Sequence, residues 1–356
     1  MHRLTLRGTE QPGPESLPLM PTGTPGKVTS FDIAYRAGVS QPTVSRALRG
    51  DRAVSPATRE KIEAIARELN YTVDKNASAL RTQRANTIAL LFFEDPAPDD
   101  SQINPFFLSM LGSITRAASS RGLDLLVSFQ RMEDDWHTRY QDSHRADGLI
   151  LLGYGDAMLY QRRLDQLAAQ GTRFVRWGPV EAGQPGAVVG SDNKAAGRKA
   201  GEHLLEKGCR KLAFLGQASA SYPEFLARFE GLREAAGNVL RQDALSSEAD
   251  GYAAVEALLA AGERPDGIFA ASDLIAIGAM RALADHGLRV PEGVALVGFD
   301  NIPAAALTSP SLTTVEQDMT RAADELMGAL VRQIGGAAPE ALVLPTRLIE
   351  RGSTRR

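Results

Sequence analysis

The 356-residue chain predicts an N-terminal α-helical helix-turn-helix module followed by an α/β core of two doubly wound parallel-sheet subdomains. Three observations predict it. Residues 28–50, VTSFDIAYRAGVSQPTVSRALRG, place two helix-period segments around a four-residue turn. From residue 86 onward, short apolar segments of strand character alternate with helical ones. Charge is divided unevenly: residues 27–84 hold eleven Lys/Arg against six Asp/Glu, a net of +5, while residues 85–356 carry a net of −8. The whole-chain balance of −3 therefore hides a basic module of the kind that phosphate binding needs.

In the helical module, Phe31, Ile33, Ala34 and Ala37 are expected on the inner face of the first helix, and Val44, Ala47 and Leu48 on that of the second. Gly38 falls where the first helix must end in a left-handed turn, which glycine adopts without steric cost. Ser40 is placed to cap the second helix, and Pro42 lies in its first turn, where a missing N–H loses nothing. Gln41, Thr43, Ser45, Arg46 and Arg49 leave the outer face polar or cationic, suited to a DNA major groove. An isolated pattern of this kind equally describes an ordinary helical hairpin. The next segment favours the DNA-binding module: Ser55-Pro56 opens a third helix whose Ile62, Ile65, Ala66 and Leu69 close a three-helix core.

The order and spacing of Val28-Thr29, Asp32-Ile33-Ala34, Ala37-Gly38-Val39-Ser40, Thr43-Val44-Ser45-Arg46, Val54-Ser55, Thr58-Arg59, Leu69-Asn70-Tyr71, Ala77 and Leu80-Arg81 resemble the lactose-repressor (LacI/GalR) family of bacterial transcription regulators. The resemblance runs on to the end of the chain. It implies that Gln41, Pro42 and Arg46 reach base edges, with Arg46 the residue whose guanidinium fork suits guanine. It implies that Thr29, Ser40, Thr43, Ser45 and Asn70 hold the DNA backbone. Residues 74–81 match the hinge helix, with Ala77 and Leu80 at its minor-groove positions and Leu80 the wedging leucine. The hinge departs from the common pattern at Val73-Asp74-Lys75, where Pro-Asn-Pro is frequent, and at Ser78, where Arg is common.

Strands are expected at residues 87–93, 123–129, 148–152, 173–177, 211–215, 267–271 and 294–298. Helices are expected near 105–120, 157–169, 193–207, 222–236, 248–261, 273–286 and 318–334. That is too many strands for one compact sheet, so two sheets with a cleft between them are predicted. The resemblance implies the same, a periplasmic-binding-protein-like core crossed three times by the chain. The domain reading is a disordered extension at 1–26, a helix-turn-helix domain at 27–72, a hinge at 73–85 and a core at 86–356. Crossings are expected near 178–190, near 315–320 and again near the C-terminus. The Pro-, Gly- and Thr-rich extension runs past the family's usual start, which makes Met20 a candidate initiator.

Ligands in such sheets bind at the carboxyl ends of the strands. By resemblance, Asp300 in the stretch VGFDN is the ligand-binding aspartate, and Arg228 in ARFEG the arginine that reaches the ligand from a helix. Ser272 stands where asparagine is frequent in sugar responders, and Phe106 and Phe107 match aromatic positions that stack on a ring. Trp177 and Met319 align with further cleft positions, and Ser246 stands at one that is often aromatic. Taken singly, Asp300 equally suits a turn, Arg228 a solvated helix face, and the two phenylalanines an ordinary core. Ile277, Ala304 and Leu307 fall where the family's dimer contacts lie.

Catalytic motifs are missing: the chain has no GxxxxGK[ST], HExxH, GxSxG or Cys–His zinc spacing, and its five histidines are scattered singly. No enzyme activity, metal or cofactor is expected. Gly153-Tyr154-Gly155 after a strand reads as a turn. The single cysteine, Cys209, excludes an internal disulfide and suits a reducing cytoplasm. No apolar run has the length of a membrane span. The expected partners are near-palindromic double-stranded DNA, a small-molecule effector and a second copy of the chain, with no membrane. A carboxylate, an arginine and aromatics suit a sugar, and the long acidic loop 94–100 leans toward an oligosaccharide. Nucleobases, phosphosugars, corepression and activation stay open.

Overall fold

A computed structural model of the chain describes residues 28–71, 84–93, 103–130, 135–153, 156–181 and 183–355. The extension 1–26, most of the hinge including Ala77 and Leu80, the acidic loop 94–100 and the pair Tyr154-Gly155 lie outside the described residues. The chain divides into two compact units, Met1–Ser78 and Ala79–Arg356.

The described residues of the first unit form three helices: α1 (Ser30–Ala37), α2 (Gln41–Leu48) and α3 (Pro56–Glu68). Gly38 ends α1 at φ 67°, in the left-handed region as expected. Ile33, Ala34, Ala37, Val44, Ala47 and Ile62 pack into one buried core with Val54 and Ala66. Phe31 departs from its expected place and is 70% exposed. It stands on the far side of α1 from Ile33 and Ala37, with Tyr35 one turn further along the same outer stripe. Ser55 caps α3 by accepting from the Thr58 amide at 3.2 Å. Ser40 begins α2 without such a bond; its hydroxyl pairs with that of Thr43 at 2.9 Å instead.

The described residues of the second unit form two six-stranded sheets. The first is filled by β1 (Thr87–Phe92), α4 (Pro105–Ser120), β2 (Asp124–Phe129), β3 (Gly148–Leu152), α5 (Ala157–Ala169), β4 (Phe174–Trp177) and β5 (Ala187–Ser191). The chain then enters the second through α6 (Asn193–Glu206), β6 (Leu212–Leu215), α7 (Pro223–Ala236), β7 (Val239–Gln242), α8 (Glu248–Ala260), β8 (Gly267–Ala270), α9 (Asp273–Asp285), β9 (Ala295–Asp300) and β10 (Thr313–Gln317). It returns to the first through α10 (Met319–Ile334) and β11 (Ala341–Leu344), and finishes in the second with β12 (Thr346–Ile349). The strand orders are β11-β5-β4-β3-β1-β2 and β12-β10-β9-β8-β6-β7. Every pairing is parallel except that of β10 with β12. The chain changes sheet at Asp192, at Asp318 and at Pro345. The first change therefore comes after the stretch 178–190, whose last residues form β5 inside the first sheet.

Two helix pairs of the second sheet lie backbone against backbone. A β-carbon on Gly197 of α6 would stand 2.0 Å from the Arg228 carbonyl oxygen of α7, and one on Gly231 of α7 would stand 2.0 Å from the Lys194 oxygen of α6. Gly251 of α8 and Gly278 of α9 repeat the arrangement, at 2.1 Å from Ile275 and 2.0 Å from Glu248. A methyl group there has no flexible neighbour to displace, so the helices must separate. Gly231→Ala is expected to destabilise the protein by about 1–3 kcal/mol, read as a lower denaturation midpoint.

Candidate functional site

In the first unit, Pro42 and Arg46 stand exposed on α2, with Gln41, Thr43 and Ser45 half-buried beside them. Gln41 donates from its side chain to the Ser30 hydroxyl at 3.1 Å, which ties its head group to the start of α1. Thr29 precedes α1, and both its amide and its hydroxyl donate to Asp32 at 2.8 Å. These bonds hold the Asp32 carboxyl below its ordinary range. Asn70, exposed, ends α3 in the left-handed region at φ 48°.

In the second unit, Asp300 closes β9 at the carboxyl edge of its sheet, 1% exposed. Its backbone has φ 108° and that of Asn301 has φ 53°, two successive non-glycine residues in the left-handed half of conformational space. The surroundings fix this turn at several points. The Ile302 amide donates to Asp273 at 2.8 Å, and the Thr314 hydroxyl donates to the same carboxylate at 2.6 Å. Asn301 is held by Arg351 at 2.7 Å and donates to Glu316 at 3.0 Å. Gln317 donates to Asp300 at 2.7 Å and accepts from the Ser191 hydroxyl at 2.7 Å. One amide therefore links the end of β9 to the end of β5, on the other sheet.

Arg228, also 1% exposed, lies across the Phe299 ring with its guanidinium carbon 3.5 Å from the centroid. It donates to the Asn193 side chain at 2.8 Å and to the Ala271 carbonyl. It faces Asp300 as a charge, without a direct ion pair among the described residues. Ser272 caps α9 and accepts from the Ser246 hydroxyl at 2.8 Å, and Ser246 accepts from Asn104 across the cleft at 3.3 Å. Phe106 and Phe107, at the start of α4, are fully buried. Phe106 lies 6.2 Å from Trp177 at the end of β4. Met319 begins α10 and is half-buried. Asp300, Arg228 and Ser272 thus converge, while the two phenylalanines serve as core in this conformation. Sequence reasoning missed Asn193, Gln317, Ser191 and Asp273, the partners that hold the first two.

Further apolar side chains point to solvent. Leu307 is 84% exposed, with Ala304 exposed nearby and Ile277 half-buried on α9. Val127 and Phe129, unremarked in the sequence, are exposed on one face of β2, the edge strand of the first sheet. Among the described residues no group of side chains is placed to hold a metal ion, and no helix is long and apolar enough to cross a membrane.

A two-sheet core of this topology behind a helix-turn-helix unit defines a class of bacterial regulators, and comparisons with known proteins place the chain within it. Residues 31–74 match the family described as bacterial regulatory proteins, lacI family, and residues 202–354 match the periplasmic binding protein-like domain. The HTH-type transcriptional regulator CelR of Thermobifida fusca is 33% identical over 335 residues, covering 90% of this chain and 96% of CelR. Among solved structures, the CelR–cellobiose complex superposes with a TM-score of 0.66 at 31% identity, covering 92% of this chain and all of that one. The lac repressor dimer bound to operator and the anti-inducer ONPF gives a TM-score of 0.77 at 25% identity, covering 92% and 99%. The chain belongs to the LacI family of transcriptional regulators.

Burial raises the Asp300 carboxyl to about 7, against the opposing pull of Arg228 and the Gln317 hydrogen bond. Asp273 beside it is raised too, by burial and by the charge of Asp300. The folded protein therefore keeps a proton on Asp300 that the unfolded chain releases near pH 4. The stability this contributes is complete below about pH 4 and is lost as the pH rises through about 7. Asp300→Asn is expected to flatten part of the fall in melting temperature between those values. At about pH 8 the variant is expected to melt above the wild type in thermal denaturation.

Proposed function

We propose that the protein is a cytoplasmic, homodimeric, sequence-specific transcriptional regulator that represses carbohydrate uptake or catabolism genes until a sugar effector enters the cleft between its sheets. The observation that carries ligand response is the Gln317 side chain, shared between Asp300 on one sheet and Ser191 on the other. A ligand hydroxyl donating to Asp300 competes with Gln317, and a displaced Gln317 changes its hold on Ser191. Both residues adjoin places where the chain changes sheet, so binding biases the angle between the two sheets. The cellobiose in the CelR complex supports a saccharide as the effector class.

Arg46 and Gln41 read base edges, Pro42 offers apolar contact, and Thr29, Ser40, Thr43, Ser45 and Asn70 hold phosphates. Two copies dock on half-sites of a near-palindromic operator. The operator complex of the lac repressor dimer supports both the DNA and the pairing. A second copy covers exposed Leu307 and Ala304 with half-buried Ile277 on one sheet's side, and exposed Val127 and Phe129 on the other.

Gel shifts on DNA flanking the gene, at several salt concentrations, test the reading; loss of specific retention at low salt, with and without sugars, refutes it. Arg46→Ala is expected to cost about 1–3 kcal/mol and to relax specificity at one base position. An equal loss on every sequence would make Arg46 a phosphate contact. Phe129→Glu combined with Leu307→Glu is expected to shift the protein from dimer to monomer in sedimentation velocity, with the circular dichroism spectrum unchanged.

A further inference from the structure

The carboxyl edge of the second sheet is filled by Asp300 and its partners. The amino edge of the same sheet holds a cavity of about 180 Å³. Its floor is made by Ile268 of β8, Val294 just before β9, Val255, Leu258 and Leu259 of α8, and Leu283 of α9, all of them buried. Its mouth is formed by exposed Arg264 and Gly293 with half-buried Leu288. Asp300 ends the strand that Val294 precedes, so the cavity and the proposed effector cleft lie at opposite ends of β9.

The polar groups around this space are already engaged. Arg264 folds back on the end of α8, donating to the Leu259 and Glu263 carbonyls at 2.9 Å each. The Asp266 carboxylate accepts from the Arg210 and Lys211 amides, at 2.9 and 2.8 Å. Among the described residues, no buried side-chain nitrogen or oxygen of this wall lacks a partner. A ligand in the floor therefore meets only aliphatic side chains, and a charged or hydroxylated one would lose its hydration without replacement.

The helix geometry keeps the space open. Near their starts α8 and α9 touch backbone to backbone, through Gly251 against Ile275 and Gly278 against Glu248. The cavity opens beside their last turns, where Leu258, Leu259 and Leu283 stand. Moving either helix inward to fill it would disturb the glycine contacts, so the void is held rather than collapsed. An apolar cavity of roughly 150 Å³ lined by Leu, Ile and Phe is enough to stay dry and take up benzene. The space here is of that size and of that lining.

We infer that this cavity is a second binding site, for a small uncharged apolar molecule the size of a single aromatic ring. The ligand is held by dispersion contacts and by exclusion of water, with no hydrogen bond to the protein. The site is separate from the effector cleft and does not depend on what that cleft binds.

Methyl NMR of the full-length protein, titrated with toluene and separately with benzoate, tests it. Toluene is expected to shift the methyl resonances of Ile268, Val255 and Val294 in a saturable way, and to leave those of Ile88 and Ile150 in the first sheet in place. Benzoate, with the same ring and a charge, should bind about tenfold more weakly or not at all. Val255→Phe fills the floor and Leu288→Trp closes the mouth, so each should abolish the toluene shifts. Leu288 is only half-buried, which leaves a folded variant in hand even where Val255→Phe does not fold. Toluene shifts that are missing or confined to the first sheet overturn the site, as does either folded variant that binds toluene as the wild type does. Benzoate binding as tightly as toluene overturns the uncharged class of ligand.

Discussion

Everything in the core converges on one desolvated carboxylate. Asp300 ends a strand in a backbone conformation that few side chains adopt, and it lies where water cannot solvate its charge. Such a residue persists only if its neighbours determine its position several times over. Asp273 holds the following amide, Thr314 holds Asp273, Arg351 and Glu316 hold Asn301, and Gln317 takes the carboxylate itself. These partners come from α9, β10 and the last residues of the chain, so the far C-terminus is tied to the same turn. The same partners that fix the turn therefore also occupy the carboxylate.

Much of the fold is legible in the sequence. The helices α4 to α10 begin where Pro or a capping Asn, Asp or Ser precedes an apolar period, and local rules read such starts well. Of the strands that escape those rules, β7, β11 and β12 have four residues and β10 is polar, while β5 is apolar and buried but lies at the end of a Gly- and Pro-rich stretch that reads as a crossing. β10 is the instructive case, since Thr313-Thr314-Val315-Glu316-Gln317 does not read as a central strand. It is buried because the Thr313 hydroxyl pairs with Thr354 and the Thr314 hydroxyl with Asp273, partners about forty residues away in sequence. Phe31 fails in the opposite direction, because an apolar residue on an eight-residue helix is expected to face inward and this one does not.

The site divides along the same line. Asp300, Arg228 and Ser272 stand out through motif resemblance, and the fold brings them together. The resemblance gives no hint that each is occupied by Gln317, Asn193 or Ser246.

The glycine contacts of α6 with α7 and of α8 with α9 have a mechanical consequence. With backbones touching, no layer of side chains lies between the helices to slide or repack, so each pair moves as one piece. Motion between the sheets is then left to the three connecting strands of chain. At two of these, Asp192 and Asp318 immediately cap a helix, accepting from the Ala195 and Arg321 amides at 2.9 and 3.0 Å. Each pivot is thus about a residue long, with a stiff rod on its far side. A joint of that kind rotates as a door does on its pins: a small displacement close to the pivots becomes a larger arc at the far edge of the sheet.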